Sequence, residues 1–310
     1  MHQPVVHLDG RLLPLDQARI SPLDRGFLFG DGVYEGLRSI ALPHHQPPRP
    51  DRRIIAAERH IQRMRDGLAL ARIDWDPAPL ESMSNALTTA NGLHDAFVYW
   101  QVTRGAPGPG DPLRSRFPAS DRPPTVFGYC SPQPPLASFD APPTKSVITC
   151  QDRRWLHGHI KSTSLMGNIL AALAAQDSGA DEAIFIRDGL IAEGLATNVV
   201  LALPPSGSMI DPPTLVTPSL NSASILPGVT RALLLHARPD IIERPIHAEE
   251  LPLASEILLI GTTTMVTSVV RLDGKPVGDA APGPVARSLL RSLLSIIHDG
   301  RDMDSQPLNR

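Results

Sequence analysis

The spacing of apolar positions predicts an alternation of short strands and longer helices. Ala56, His60, Met64, Leu68 and Ala71 recur at helical intervals, so a helix is expected over 56–73. A second is expected over 77–92, closed by Asn91-Gly92. Others are expected over 164–178, where Gly179 stops an Ala- and Leu-rich run, over 230–237 and over 283–298. Extended segments at 4–9 and 11–15 flank Asp9-Gly10, a hairpin signal. Residues 96–104, 145–151, 183–187, 199–203, 215–218 and 256–260 read as strands, with turns at Asp188-Gly189 and Asp273-Gly274. Proline-rich stretches at 42–53, 105–124, 132–144 and 204–215 read as loops.

These breaks predict a mixed α+β and α/β chain of two domains. The expected parts are a small N-terminal domain over 1–131, a stiff linker over 132–144, a larger domain over 145–298 and a polar tail over 299–310. The chain has 310 residues, 42% of them hydrophobic, enough for a sizeable core. A net charge of −3 and the lack of a basic run point away from nucleic acid. Two cysteines, Cys130 and Cys150, are too few for a disulfide framework and are expected as buried thiols. No leader pattern and no membrane-length apolar run is visible, so a cytoplasmic enzyme is the expectation. His44 and His45 lack carboxylate or cysteine company and are expected in solvent rather than on a metal.

Candidate chemistry gathers in 155–200. Lys161 is one of only three lysines and ends the apolar, His-bearing run Trp155-Leu156-His157-Gly158-His159-Ile160. Such a run would desolvate an amine, and a desolvated lysine is a Schiff-base nucleophile. The alternative is a surface lysine at a helix start. Glu193 stands between the apolar segments 190–192 and 199–203, where a buried carboxylate needs a partner. The protonated nitrogen of a pyridine ring would be one; a surface hairpin position is the other reading. Gly228 sets the amides of Val229 and Thr230 at a helix N-terminus, an intrinsic anion site. Thr262, Thr263 and Thr264 end a buried strand with three hydroxyls that can also bind phosphate.

Ile160-Lys161-Ser162, Glu193-Gly194-x-x-x-Asn198-Val199 and Leu226-Pro227-Gly228-Val229-Thr230-Arg231, in that order, resemble the fold-type IV pyridoxal-phosphate enzymes, the class IV aminotransferases. The resemblance runs from about residue 4 to about residue 290. It implies a small α/β domain and a larger pseudo-barrel domain, pyridoxal 5'-phosphate as cofactor, and a homodimer with its active site near the interface. It implies that Lys161 attaches the cofactor, that Glu193 faces the ring nitrogen, and that Leu226 packs on the ring. Arg63, Val229, Thr230, Thr262 and Thr263 would hold the phosphate. Tyr34, in Gly30-Asp31-Gly32-Val33-Tyr34-Glu35-Gly36, matches a tyrosine near the substrate carboxylate, and Arg38 an arginine of the branched-chain branch. Tyr99-x-Gln101-Val102-Thr103-Arg104-Gly105 is similar to the D-amino-acid branch, whose loop arginine and histidine Arg114 and Arg116 approximate. The implied reaction moves an amino group from a D-amino acid, such as D-alanine or D-glutamate, to pyruvate or 2-oxoglutarate. Alternatives are an (R)-amine or branched-chain transaminase, an aminodeoxychorismate-lyase-like enzyme, or a cofactor-binding scaffold without turnover.

Overall fold

In the computed structural model, which describes residues 3–42, 51–119, 121–205 and 212–300, the chain divides into two units. One holds the described residues up to Leu136 together with Ile160–Leu165; the other holds Ala137–His159 and the described residues from Met166 on. His44, His45 and the tail from residue 301 lie outside the described residues.

The first unit contains β1 (Val5–Leu8), β2 (Arg11–Pro14), α1 (Arg25–Phe29), β3 (Gly32–Ala41), β4 (Arg52–Ile54), α2 (Ala57–Ala71), α3 (Leu80–Ala90), β5 (Ala96–Thr103) and β6 (Thr125–Pro132). Its strands pair antiparallel in the order β2-β1-β6-β5-β3-β4. The two-residue period of a strand splits the sheet into two faces. Val33, Leu37, Val98, Trp100, Val102 and Val126 join Ile61, Met64, Leu68, Leu80 and Leu87 of the helices in one core. The other face carries an aromatic row described below. α1 spans only five residues, too few to show a period. Asp24 builds it locally: Oδ1 accepts from the Gly26 amide, and Oδ2 accepts from the hydroxyls of Thr103 and Thr125.

The second unit contains β7 (Thr144–Gln151), α4 (Met166–Asp177), β8 (Glu182–Arg187), β9 (Leu190–Gly194), β10 (Asn198–Leu203), β11 (Thr214–Pro218), α5 (Val229–Ala237), β12 (Ile242–Arg244), β13 (Glu256–Gly261), β14 (Met265–Leu272), β15 (Lys275–Pro276) and α6 (Pro284–His298). Its strands run β12-β11-β10-β13-β14-β7-β8-β9, with β15 on β14, and the sheet curls as a half-barrel. Pairings are antiparallel except β11 with β12 and β7 with both β14 and β8. β10 and β13 are buried along most of their length and read as continuous apolar runs, not as alternation. Buried Glu256 accepts the first-turn amides of Val285 and Ala286, each at 2.8 Å, and so caps α6. Both cysteines are half-buried rather than buried, and burial pushes the Cys130 thiol up to about 11. Among the described residues no helix is long and apolar enough to cross a membrane, and no group of acidic, His and Cys side chains could hold a metal.

Candidate active site

In the first unit, residues 161–163 lie antiparallel beside the start of β3. The Tyr34 amide donates to the Lys161 carbonyl at 2.9 Å, Val33 bridges Ser162, and the Thr163 amide donates to the Gly32 carbonyl at 3.0 Å. Gly30 makes this approach possible. It ends α1 at φ 67°, and a Cβ there would meet Ser164 Oγ at 2.5 Å. The result fixes the stem of Lys161 against Tyr34, with Nζ 4.3 Å from the ring centroid. The aromatic environment of the amine is therefore Tyr34. Two apolar residues of the run expected to desolvate it are exposed: Trp155 by 47% and Leu156 by 73%.

Tyr34 opens a row across three strands. It stacks on Tyr99 at 5.6 Å, and Tyr99 lies 5.1 Å from Tyr129. The Tyr99 hydroxyl donates to Gln101 Oε1 at 2.8 Å, and burial pushes its pKa well above the usual range. Arg38 shares the strand face of Tyr34 but is fully buried, with Nη2 donating to the Pro134 carbonyl at 2.5 Å. The structure thus places Arg38, expected near substrate from the branched-chain branch, in the interior of its unit. Its burial also lowers its pKa, against the pull of Asp95. Arg114 and Arg116 are both exposed, and the Arg114 guanidinium lies over the Phe29 ring at 5.2 Å. Arg25 ties their loop down by donating to the Ser115 carbonyl at 2.6 Å.

On the opposite face of β3, Glu35 is buried completely. Arg63 Nε and Nη2 grip its two oxygens at 2.7 and 2.8 Å, and His60 Nδ1 lies 2.8 Å from Oε2. Burial would raise the Glu35 carboxyl, but the Arg63 charge and the hydrogen bonds hold it well below the usual carboxylate range. Burial lowers His60; Glu35 pulls it back in part, while Arg63 and Lys161 push it further down. An ionised Glu35 accepting from a neutral His60 satisfies both directions. The resemblance implies phosphate as the partner of Arg63; the structure adds Glu35, which holds two of its donors.

In the second unit, Glu193 at the end of β9 is buried and paired within the chain. Arg154 Nη1 donates to Oε1 at 2.9 Å and the Leu226 amide donates to Oε2 at 3.0 Å. Arg154 also forks onto Asp152 at 3.0 and 2.9 Å, and Asp152 lies 2.7 Å from Arg187. Burial lowers the Arg154 pKa, but Asp152 and Glu193 overcome it and push it up. The partner expected for Glu193 from the sequence was a ring nitrogen; the structure adds Arg154, whose only sequence signal is the Asp-x-Arg spacing of 152–154.

The same unit holds the residues expected to bind phosphate. α5 starts at Val229 with no side-chain cap, so the amides of Val229 and Thr230 lack intrahelical acceptors. Asn198 Nδ2 donates to the Leu226 carbonyl at 3.1 Å, which pins the loop before the helix. Gly228 is required by that contact: a Cβ would lie 1.9 Å from Asn198 Oδ1, whereas its φ of −67° needs no glycine. Thr262 and Thr263 lie in the turn between β13 and β14. Beside them, the Oγ1 atoms of Thr264 and Thr197 are buried without a hydrogen-bond partner among the described residues. A Cβ on Gly261 would touch Thr264 Oγ1 at 2.8 Å and Thr197 Cγ2 at 3.3 Å, so these threonines are neighbours. Orphaned hydroxyls and uncapped amides suit a phosphate group. Thr264 belongs to the hydroxyl run legible in the sequence, whereas Thr197 carries no such signal because only the fold brings it beside Thr264.

Residues 32–272 match the family described as Amino-transferase class IV. The chain is 32% identical over 299 residues to a D-alanine aminotransferase of Bacillus licheniformis, covering 94% of this chain and 96% of that one. It is 29% identical over 295 residues to a D-alanine aminotransferase of Staphylococcus haemolyticus, covering 92% and 94%. The branched-chain aminotransferase of the archaeon Thermoproteus uzoniensis, solved with norvaline, superposes with a TM-score of 0.80 at 21% identity, covering 99% of this chain and 100% of that one.

Proposed function

The chain belongs to the class IV aminotransferase family, and on that premise we propose that it is a pyridoxal 5'-phosphate-dependent transaminase acting on D-amino acids. The donor is a compound such as D-alanine or D-glutamate, and the acceptor a 2-keto acid such as pyruvate or 2-oxoglutarate. The observation that carries this reading is Lys161, its backbone clamped to β3 and its Nζ over Tyr34. Similarity to the two D-alanine aminotransferases supports the D-amino-acid branch.

When bound, the cofactor supplies an electron sink for the substrate Cα–H bond. Lys161 would provide the amine that attaches it and, once freed by substrate, would take the proton from Cα and return it to the cofactor side of the bond. Glu193 is the counterion that keeps a proton on the ring nitrogen. The amides of Val229 and Thr230 and the hydroxyls of Thr262 and Thr263 hold phosphate, with Arg63 adding charge. Leu226 would pack against the ring. Tyr34 orients the substrate, and Arg114 or Arg116 supplies a charge for its carboxylate.

A second reading, an (R)-amine or branched-chain transaminase, is supported by the Tyr34–Tyr99–Tyr129 row, an aromatic surface suited to an apolar side chain. We place the protein in the cytoplasm as a homodimer. α4 supports self-association through an exposed apolar stripe: Met166 is 70% exposed, Ile169 53%, Leu170 59% and Leu173 48%.

The test is a half-reaction panel on reconstituted protein, read by cofactor absorbance, with D-alanine, L-leucine, (R)-1-phenylethylamine and aminodeoxychorismate. D-alanine is expected to react fastest. Fastest reaction with L-leucine or the arylamine selects the second reading, and pyruvate release from aminodeoxychorismate without an acceptor selects a lyase. Arg114→Ala is expected to raise KM for amino acids by about tenfold, the value of one charge-assisted contact, and to leave simple amines unchanged. An equal effect on both removes this loop from carboxylate binding.

A further inference from the structure

The Glu193 carboxylate is the end of a buried chain of charges: Arg187, Asp152, Arg154, Glu193. Two guanidinium and two carboxylate groups alternate, so their formal charges cancel. The side chains of Asp152 and Glu193 are 0% and 7% exposed, and those of Arg154 and Arg187 11% and 9%. Arg154 is not a swinging arginine. Nε and Nη2 are held by Asp152 at 3.0 and 2.9 Å, and its guanidinium stacks 3.9 Å from the Phe185 ring centroid. That leaves Nη1 aimed at Glu193 Oε1 at 2.9 Å.

We propose that Arg154 is a positioning residue: it fixes Glu193 in one orientation and keeps it an anion, so that the shared proton stays on the ring nitrogen of the bound cofactor. The proposal rests on the reading that Glu193 faces that nitrogen. A buried carboxylate without a cationic neighbour favours its neutral form. A neutral carboxylic acid cannot balance a protonated ring. Arg154 lowers the proton affinity of Glu193, while Asp152 balances Arg154 and limits its repulsion of a cationic ring. The remaining ionisable groups on the flanking strands do not substitute for it. Glu182 on β8 is held by Lys145 at 2.5 Å and by the Leu195 amide at 2.8 Å, and the Cys150 thiol is pushed up by burial and so stays neutral.

The experiment titrates Glu193 in the cofactor-free full chain by carbon-13 NMR of labelled glutamate, with the signal assigned through Glu193→Gln. Arg154→Gln is expected to raise the Glu193 midpoint by at least about one pH unit, a tenfold change in proton affinity. Arg154→Lys, which keeps the charge and loses the fork, is expected to fall between. Asp152→Asn removes the balancing charge and is expected to move the midpoint downward. A general loss of packing would move both variants the same way, so opposite shifts identify electrostatic positioning. An unchanged midpoint in Arg154→Gln, or equal shifts in Arg154→Lys and Asp152→Asn, overturns the proposal. If Arg154→Gln does not fold, the lysine and asparagine variants carry the comparison. A second arm adds pyridoxal 5'-phosphate and follows its absorbance against pH. Identical spectra for wild type and Glu193→Gln would remove Glu193 from the ring nitrogen while leaving the Arg154 coupling to stand or fall on the NMR result.

Discussion

Lys161→Ala is expected to lower transamination by at least about 10³-fold, because one amine both attaches the cofactor and relays the Cα proton. The substitution should leave the fold intact. The clamp on this segment runs through the backbone: the Tyr34 amide donates to the Lys161 carbonyl, and Ser162 and Thr163 pair with β3. Only the amine leaves the Tyr34 ring. The checks are the half-reaction rate with D-alanine and peptide mass spectrometry after borohydride reduction. Wild-type protein should yield a phosphopyridoxyl group on the peptide bearing Lys161, and the variant none. Transamination within tenfold of wild type, or a modified lysine elsewhere, would remove Lys161 from the mechanism.

Glu35→Ala is expected to cost about 3–5 kcal/mol of unfolding free energy, since it leaves the buried Arg63 charge without its carboxylate. Arg63 is 7% exposed and cannot turn to bulk water without opening the core of its unit. Glu35→Gln, which keeps shape and one acceptor, is expected to cost less. The pH dependence has a definite sign. Glu35 and His60 both have folded pKa values below their ordinary values of 4.5 and 6.5. Each therefore contributes stability that is present above its ordinary value and is lost as pH falls. Acidification from neutrality should weaken the wild type first through His60, then through Glu35. Urea unfolding at pH 8 and pH 5 measures this. A Glu35→Ala cost below about 1 kcal/mol at pH 8 would mean that Arg63 finds another partner.

Periodic elements were legible because their signal is local. The helices expected over 56–73, 77–92, 164–178, 230–237 and 283–298 correspond to α2, α3, α4, α5 and α6, with shifts of a few residues at their ends. The strand at 96–104 corresponds to β5. α1 left no period to read, and its cap depends on Thr103 and Thr125, far along the chain. The family, too, was legible, because its motifs are short and lie in fixed order. Candidate residues could be named from those motifs, but their neighbours could not. Tyr99 and Tyr129 join Tyr34 only through strand register, and Arg38 is withdrawn from the same face by the Pro134 carbonyl.

By itself the sequence determined the mixed fold class, the helix positions and the family, and it named the candidate reactive groups, all of which rest on local pattern or on motif order. Tertiary structure decided what each group meets. It set Lys161 against Tyr34 in the N-terminal unit, Arg63 on Glu35, and Glu193 on Arg154. The physical reason is that desolvation and charge pairing depend on distances of a few ångströms between residues tens of positions apart, and hydrophobic periodicity carries no record of such distances.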